Sequence, residues 1–600
     1  MAETKQESDT QTPDVNCRTD KKIVAAIDFG TTYSGYAYTF RTEFDKSDGA
    51  RQIFTNRWSN SGSLLSAKAP TTALFDPEYK FHSFGYEAEE KYAELVDRKQ
   101  HKDWHCFRRF KMQLHNNWML EREFEITDEA GQLYPAKSVF CESIRYLRNK
   151  LVEEIETRNP MENNSKDEKI EDRNPVEINL RNVIHWVLTV PAIWTEPAKQ
   201  FMREAAIEAG ISSGELQIAL EPEAAAVYCQ SLSEGTLRDS KDKVVTGAFR
   251  PGGSYIIVDL GGGTVDMTVH KVAENGRLVE VWQASGGPWG GIAVNRTFYD
   301  FVANTFGKEF IEKFRNERVK EWMKLETEFE TQKRKLKFDT NYDIKLELPA
   351  RLIAESNLEV ADLTSYNKLG IENDEFKKFF QPSTKVIVDQ IKSILTEVSL
   401  VDLILLVGGF ATSKYVSRVI ADAFPDKRVV VPLQAEVAVM YGAVLIGFEP
   451  LVISSRICRH TYGIRTYTDF KEGHHPPEYR TVIDGETKCR NIFDVLVKAG
   501  ETIGMQETRS CNTFSSHRDE SRKYLTINFP VFAAKKGCPK YTTDDSCVRL
   551  GCINIEPPAD GWPQKVSYNL NMFFGQTEFK VTVKNNFTGL DHSVSFDFLK

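Results

Sequence analysis

Two apolar runs, each ending in an acid followed by a glycine and hydroxyl-rich turn, constrain this chain more than any other feature. The first, "KIVAAIDFGTTYS", reaches its acid at Asp28, and the second, "YIIVDLGGGTVD", reaches it at Asp259. Glycine in such a turn permits positive φ and close backbone approach, so N–H groups can cradle a phosphate chain. Thr31, Thr32 and Thr264 add hydroxyls, and a carboxylate at the strand end can hold Mg2+ through the ion's own waters. Neither stretch fits the P-loop or the G-x-G-x-x-G dinucleotide pattern. One such turn alone reads as ordinary turn chemistry. Two of them, far apart in the chain, read as a duplicated domain whose halves face each other.

Composition sets the frame. Six hundred residues, 41% hydrophobic and 27% charged, exceed what one core organises, so two or more domains are expected. A formal charge of −9 offers no electrostatic reason for nucleic acid or an anionic membrane as partner. No signal-peptide core and no run of about 18 apolar residues is present, so no membrane span is expected, and the expected compartment is the cytoplasm, the nucleus remaining open. Ten cysteines without C-x-x-C pairs read as free thiols.

Residues 1–22 are polar and read as a disordered tail. From 23 to 449, β-rich runs such as "VIHWVLTVPA" and "DLILLVGGF" alternate with helical segments such as "EPAKQFMREAAIEAG", the pattern of an α/β architecture. Two polar stretches, "NPMENNSKDEKIEDRNPVE" and "GTLRDSKDKVVTG", read as surface insertions. From 450 to 600 the runs are short and strand-like, with turn-rich separators and no long helix, which predicts an antiparallel β-sandwich.

The stretches "AIDFGTTYSGYAY", "VLTVPAIWTEPAKQFMREAAIEAG", "ALEPEAAAVY", "IIVDLGGGTVDMTV", "LVGGFATSKYV" and "AVMYGA" occur in the order found in the heat shock 70 kDa protein family of the actin-like ATPases, which this chain resembles from Ile23 onward. The divergence between them is most like the family's atypical member-12 branch (12A and 12B). The resemblance implies two ribonuclease H-like lobes closing over Mg-ATP or Mg-ADP, with Asp28 and Asp259 flanking the metal through water. Gly30, Thr31, Thr32, Tyr33 and Gly261, Gly262, Gly263 and Thr264 would then touch phosphates, and Gly290 and Gly291 would form a further phosphate-side segment. Glu221 matches the acid that positions the attacking water, with Asp259 beside it; by itself it also reads as a helix-start acid before Pro222. Phosphoryl transfer needs mainly positioning and charge neutralisation, which suits such a set. Glu330, Lys333 and Arg334, at i, i+3 and i+4 on one helix face, match the adenosine-binding helix, and Gly408, Gly409 and Phe410 match the turn beside the adenosine.

The pattern also breaks. The family's catalytic lysine falls within "CFRRFKMQLH", where one register places Phe110 and a shift of one places Lys111; with Phe110 hydrolysis would be slow. Thr412 stands where a basic residue usually packs on adenine. The segment "GFEPLVISSRICRHTYGI" lacks the acid-flanked leucine run of the family's interdomain linker, which puts nucleotide-to-peptide coupling in question. Strand character runs to the end of the sequence, so neither a helical lid nor an acidic co-chaperone-binding tail is expected.

The leading expectation is an ATP-binding, chaperone-like protein of this family with slow hydrolysis and protein partners at the C-terminal β-domain. The alternative is a nucleotide-dependent adaptor with little or no ATPase activity. A small-molecule kinase on the same two-loop core would need a base for an acceptor hydroxyl, and no pocket for one is identifiable.

Overall fold

The computed structural model describes residues 21–599 apart from 47–51, 60–64, 119, 159–182, 234–235, 242, 357–362, 365–366, 484, 517–522, 535–536, 587–588, 590 and 593–594. The expected tail lies outside the described residues but for its last two positions, as does the whole insertion at 159–177.

The strand Ile23–Phe29 is buried at every position, as a run of apolar residues flanked on both sides by other strands must be. It pairs antiparallel with Tyr33–Phe40 and parallel with Ile184–Val190, which in turn pairs parallel with Leu216–Leu220. The second half repeats this plan. Ser254–Leu260 pairs antiparallel with Val265–Val272 and parallel with Val401–Val407, and Arg428–Val430 follows in parallel. Strand for strand the two orders coincide, and each acid sits at the tip of the equivalent hairpin, Asp28 opposite Gly35 and Asp259 opposite Asp266. A duplicated two-lobed α/β body is therefore present.

Each lobe has its own core, one centred on Phe29, Phe110, Phe140 and Phe201, the other on Phe298, Phe329, Phe376 and Phe379. A third cluster joins them. In it the helices Glu221–Ser231 and Ala438–Phe448 pack on Val24, Ala26 and Val187 from one sheet and on Tyr255, Ile257, Leu403 and Leu405 from the other. Apolar residues all round Ala438–Phe448 are what a helix wedged between two sheets requires.

The expected domain boundary at 449/450 does not separate the sheets. Ile453–Ile457 joins the second lobe's sheet beside Leu278–Gly287, and Thr502–Gly504 adds to its edge. The joining segment is thus a strand rather than a loose tether: its apolar residues Ile453 and Ile457 give it a register to hold. Beyond it lie a six-stranded and a four-stranded sheet, both antiparallel. They share a buried cluster that includes Ile464, Val531 and Ile553 from one and Tyr568, Leu570 and Val583 from the other. Among the described residues no α-helix follows Ala438–Phe448. The nine described cysteines are free.

Candidate functional site

The two acid-glycine turns meet where the lobes face each other. A Cβ placed on Gly262 would lie 2.1 Å from Thr32 Oγ1, and one on Gly263 would lie 2.6 Å from Thr31 Oγ1 and 2.5 Å from Met112 Sδ. Only glycine lets the second turn approach the first this closely. The carbonyls of Gly261, Gly262 and Gly263 accept hydrogen bonds from Gly291, Ile292 and Gly290 at 3.2, 2.8 and 3.2 Å, so the predicted segments at 261–264 and 290–291 form one unit at the start of the helix Gly291–Phe306. With their carbonyls used in this way, the amides of Gly262 and Gly263 donate to no protein acceptor among the described residues, and the same holds for Thr31 and Thr32. Two facing turns of unpaired donors form an anion-binding concavity.

Charged groups converge beside these turns. Lys111 Nζ donates to Glu221 Oε1 at 2.7 Å with the lysine side chain only 2% exposed. Lys111 faces Glu221, whereas Phe110 packs edge-on against Phe29 and Phe140 in the first lobe's core. Glu221 is the first residue of its helix, so it is both a helix-start acid and a cleft acid. Burial pushes its carboxyl up to about 7 against the pull of Lys111. Asp259 is raised well above the ordinary carboxylate range by burial and by the neighbouring Glu221, Asp266 and Asp28, and among the described residues no cation touches it. Burial likewise raises Asp266, opposed by the Ile193 N–H at 3.0 Å and the Thr264 hydroxyl.

Asp28 has two partners that sequence reasoning missed. Its Oδ2 accepts from Lys68 Nζ at 2.6 Å and its Oδ1 from the Thr189 hydroxyl at 3.0 Å. Thr189 lay within the quoted "VLTVPA", and Asp266 closed the quoted "DLGGGTVD", so both were in view without an assigned role. Lys68 carried no local signal.

On the far side of the cleft Glu330 pairs with Lys333 at 2.6 Å and with Arg334 at 3.1 Å. Lys333 reaches Asn295 Oδ1 at 2.8 Å and Gly291 O at 3.3 Å, and Phe410 borders Gly291. Arg334 crosses between lobes, donating to the Tyr33 hydroxyl at 3.2 Å and lying over its ring. Gly408 has φ +85°, and a Cβ there would stand 2.4 Å from Asp259 Oδ1; Gly409 begins the short helical turn that carries Phe410. Thr412 is spent locally on Gly409 O at 2.7 Å. The predicted base-side and phosphate-side residues thus line one cleft.

A family model described as "Hsp70 protein" matches residues 169–452. Heat shock 70 kDa protein 12A of Mus musculus is 31% identical, over 96% of this chain and 91% of its own length. The chain belongs to the Hsp70 family. Within the family it is also similar to heat shock 70 kDa protein 12B of Homo sapiens, 32% identical over 96% of this chain and 91% of that one. Similarity extends to the chaperone protein DnaK of Thermosipho africanus, at 24% identity over 45% of this chain and 44% of that one. This Hsp70-family chain therefore carries an actin-like ATPase domain, for which nucleotide binding fits the family. Among the described residues no helix is long and apolar enough to cross a membrane.

The cleft suits Mg2+ as the resemblance implies. Asp28 and Asp259 are buried oxygen donors, and Asp259 sits in surplus negative charge that a cation would relieve. Among the described residues no three His, Cys, Asp or Glu side chains are grouped to hold a metal by themselves.

Proposed function

We propose that this protein binds Mg-ATP between its two lobes and hydrolyses it slowly, with the two C-terminal antiparallel sheets acting as a lidless β-sandwich that meets protein partners. The observation that carries the reading is the pair of facing turns whose amides at Thr31, Thr32, Gly262 and Gly263 have no protein acceptor. A triphosphate supplies the missing acceptors. Mg2+, held through water by Asp28 and Asp259, would supply neutralisation of charge on the phosphates. Glu221, brought near neutral pH by burial, is suited to orient a water and take its proton, and Lys111 holds that carboxylate in place. Lys333, Arg334 and Phe410 would flank the nucleoside.

A second reading, a nucleotide-dependent adaptor with little turnover, is favoured by one observation. The helix Glu196–Glu208 of the first lobe is tied to the C-terminal sheets through Arg203–Glu578, Lys199 Nζ to Thr577 O at 3.1 Å, and Phe598 N to Gln200 Oε1 at 2.7 Å. In this reading nucleotide acts as a ligand that stabilises one lobe arrangement and hence one outer surface.

The deciding experiment is single-turnover hydrolysis of Mg-ATP alongside ATP binding, with Asp259→Ala as control. Hydrolysis lost in the variant supports the ATPase reading. Tight binding without turnover moves the conclusion to the adaptor, and no binding overturns both.

A further inference from the structure

Lys68 carries a partly buried ammonium group held in place by its surroundings. Its backbone precedes the short strand Ala69–Pro70, which pairs with Tyr33 and Ser34 directly after the first phosphate turn. Thr71 fastens the same segment twice, from its N–H to Thr32 O and from its hydroxyl to Gly30 O, both at 2.8 Å. Gly35, opposite Asp28 in the hairpin, leaves room for the lysine stem: a Cβ there would lie 3.0 Å from Lys68 Cγ. The Nζ so delivered stands 2.6 Å from Asp28 Oδ2, with the side chain 17% exposed. Asp28 has its second oxygen on the Thr189 hydroxyl, so both of its oxygens are already engaged by the protein's own groups.

We infer that Lys68 is a tethered counter-ion for the phosphate site, standing on Asp28 in the role a metal's hydration shell would fill, so that this protein retains nucleotide with little dependence on a divalent cation. The inference rests on reading the cleft as a nucleotide site. The 2.6 Å contact pairs the Lys68 ammonium with the Asp28 carboxylate as a charge-assisted hydrogen bond. An ammonium has three donors. One is used on Asp28, and the others can reach phosphate oxygens as a point charge does. A cation built into the chain is present at any metal concentration, whereas Asp28 left bare would repel a triphosphate whenever Mg2+ was absent.

The test is calorimetric titration of the full chain with ATP, once in excess Mg2+ and once in EDTA, for the wild type and Lys68→Met. The wild-type Kd is expected to rise less than about tenfold in EDTA, and that of the variant about 10- to 100-fold further, the range of one charge-assisted hydrogen bond. Circular dichroism and a cooperative thermal melt of the variant report that it is folded. Wild-type binding abolished by EDTA overturns the inference without touching the nucleotide reading, and needs no variant. Equal Mg2+-to-EDTA ratios in the two proteins also overturn it. Absence of wild-type binding even in Mg2+ overturns the nucleotide reading and this inference with it.

Discussion

Arg456 and Glu223 are joined by two hydrogen bonds, 2.5 Å from Nε to Oε1 and 2.6 Å from Nη2 to Oε2, with the carboxylate only 2% exposed. Glu223 stands two residues beyond Glu221 in the first turn of the same helix. Arg456 lies in the strand that enters the second lobe's sheet, and it also donates to Gly575 O at 2.7 Å and Thr577 Oγ1 at 3.0 Å. One guanidinium thus touches the helix that begins at the cleft, the joining strand and the C-terminal sheets. Removing one partner of such a pair strands a buried charge, whereas removing both does not. Glu223→Met is expected to destabilise the protein by about 3–5 kcal/mol, and the double variant with Arg456→Met by less. Urea unfolding of the full chain checks this; additive effects would show the pair to be uncoupled.

Glu280 makes a prediction about pH. It lies at the same junction, accepting from the Ile457 N–H at 2.8 Å, and burial with the nearby Glu223 pushes its carboxyl from about 4.5 up to about 8. The folded protein then binds a proton that the unfolded chain has released, so stability falls as pH rises between those values. Glu221, raised to about 7, adds to the same trend at its lower end. Melting temperature is expected to drop between about pH 5 and pH 8, and Glu280→Gln, which keeps an acceptor for Ile457, is expected to flatten the drop. A melting curve whose slope the variant leaves unchanged would contradict this.

Lys111→Met removes the ammonium that opposes burial at Glu221. The carboxyl should rise further and lose its fixed orientation. Single-turnover hydrolysis is expected to fall by about 100-fold, the usual weight of a positioned acid-base group, while ATP affinity changes little. Equal rates in the two proteins would remove Lys111 from the machinery.

Gly408→Ala is expected to weaken ATP binding and lower the melting temperature together. The position needs φ +85°, and the added Cβ would press on Asp259 Oδ1 and on Leu260 O at 2.6 Å. Strain of about 1–3 kcal/mol is typical of such a change. Normal affinity and an unchanged melting curve would refute it.

Glu326 reports on lobe closure. It accepts from Arg108 Nη1 at 2.9 Å and from the Tyr299 hydroxyl at 2.7 Å, which bridges the first lobe to the second. Burial would raise its carboxyl, yet Arg108 and Arg109 hold it at about 2. Its contribution to stability is present above about pH 4.5 and lost as pH falls toward 2. Glu326→Gln is expected to speed dissociation of a fluorescent ADP analogue and to flatten the acid limb of the stability curve. An unchanged dissociation rate would separate this contact from closure.

The phosphate turns, the family and the doubling of the body were legible because their signals are local: an apolar run, an acid, then glycines and threonines, stated twice. Spacing placed Glu330, Lys333 and Arg334 on one helix face, but only the resemblance to the family marked that face as a site. Lys68 was not legible, because nothing in "SAKAPTT" distinguishes a lysine that turns inward from one in solvent. Nor was the role of Ile453–Ile457, since a five-residue strand acquires meaning only from the sheet it joins.

The sequence by itself determined which backbone can turn tightly, which runs must be buried and which acids end strands, since these follow from side-chain shape and polarity within a few residues. Only the tertiary structure showed that Phe110 faces the core and Lys111 faces Glu221. It alone placed Lys68 on Asp28 and Arg456 on Glu223. Those pairings join residues 40, 110 and 233 positions apart, and a charge buried at such a distance in sequence finds its partner only when packing brings the two together and excludes water from both.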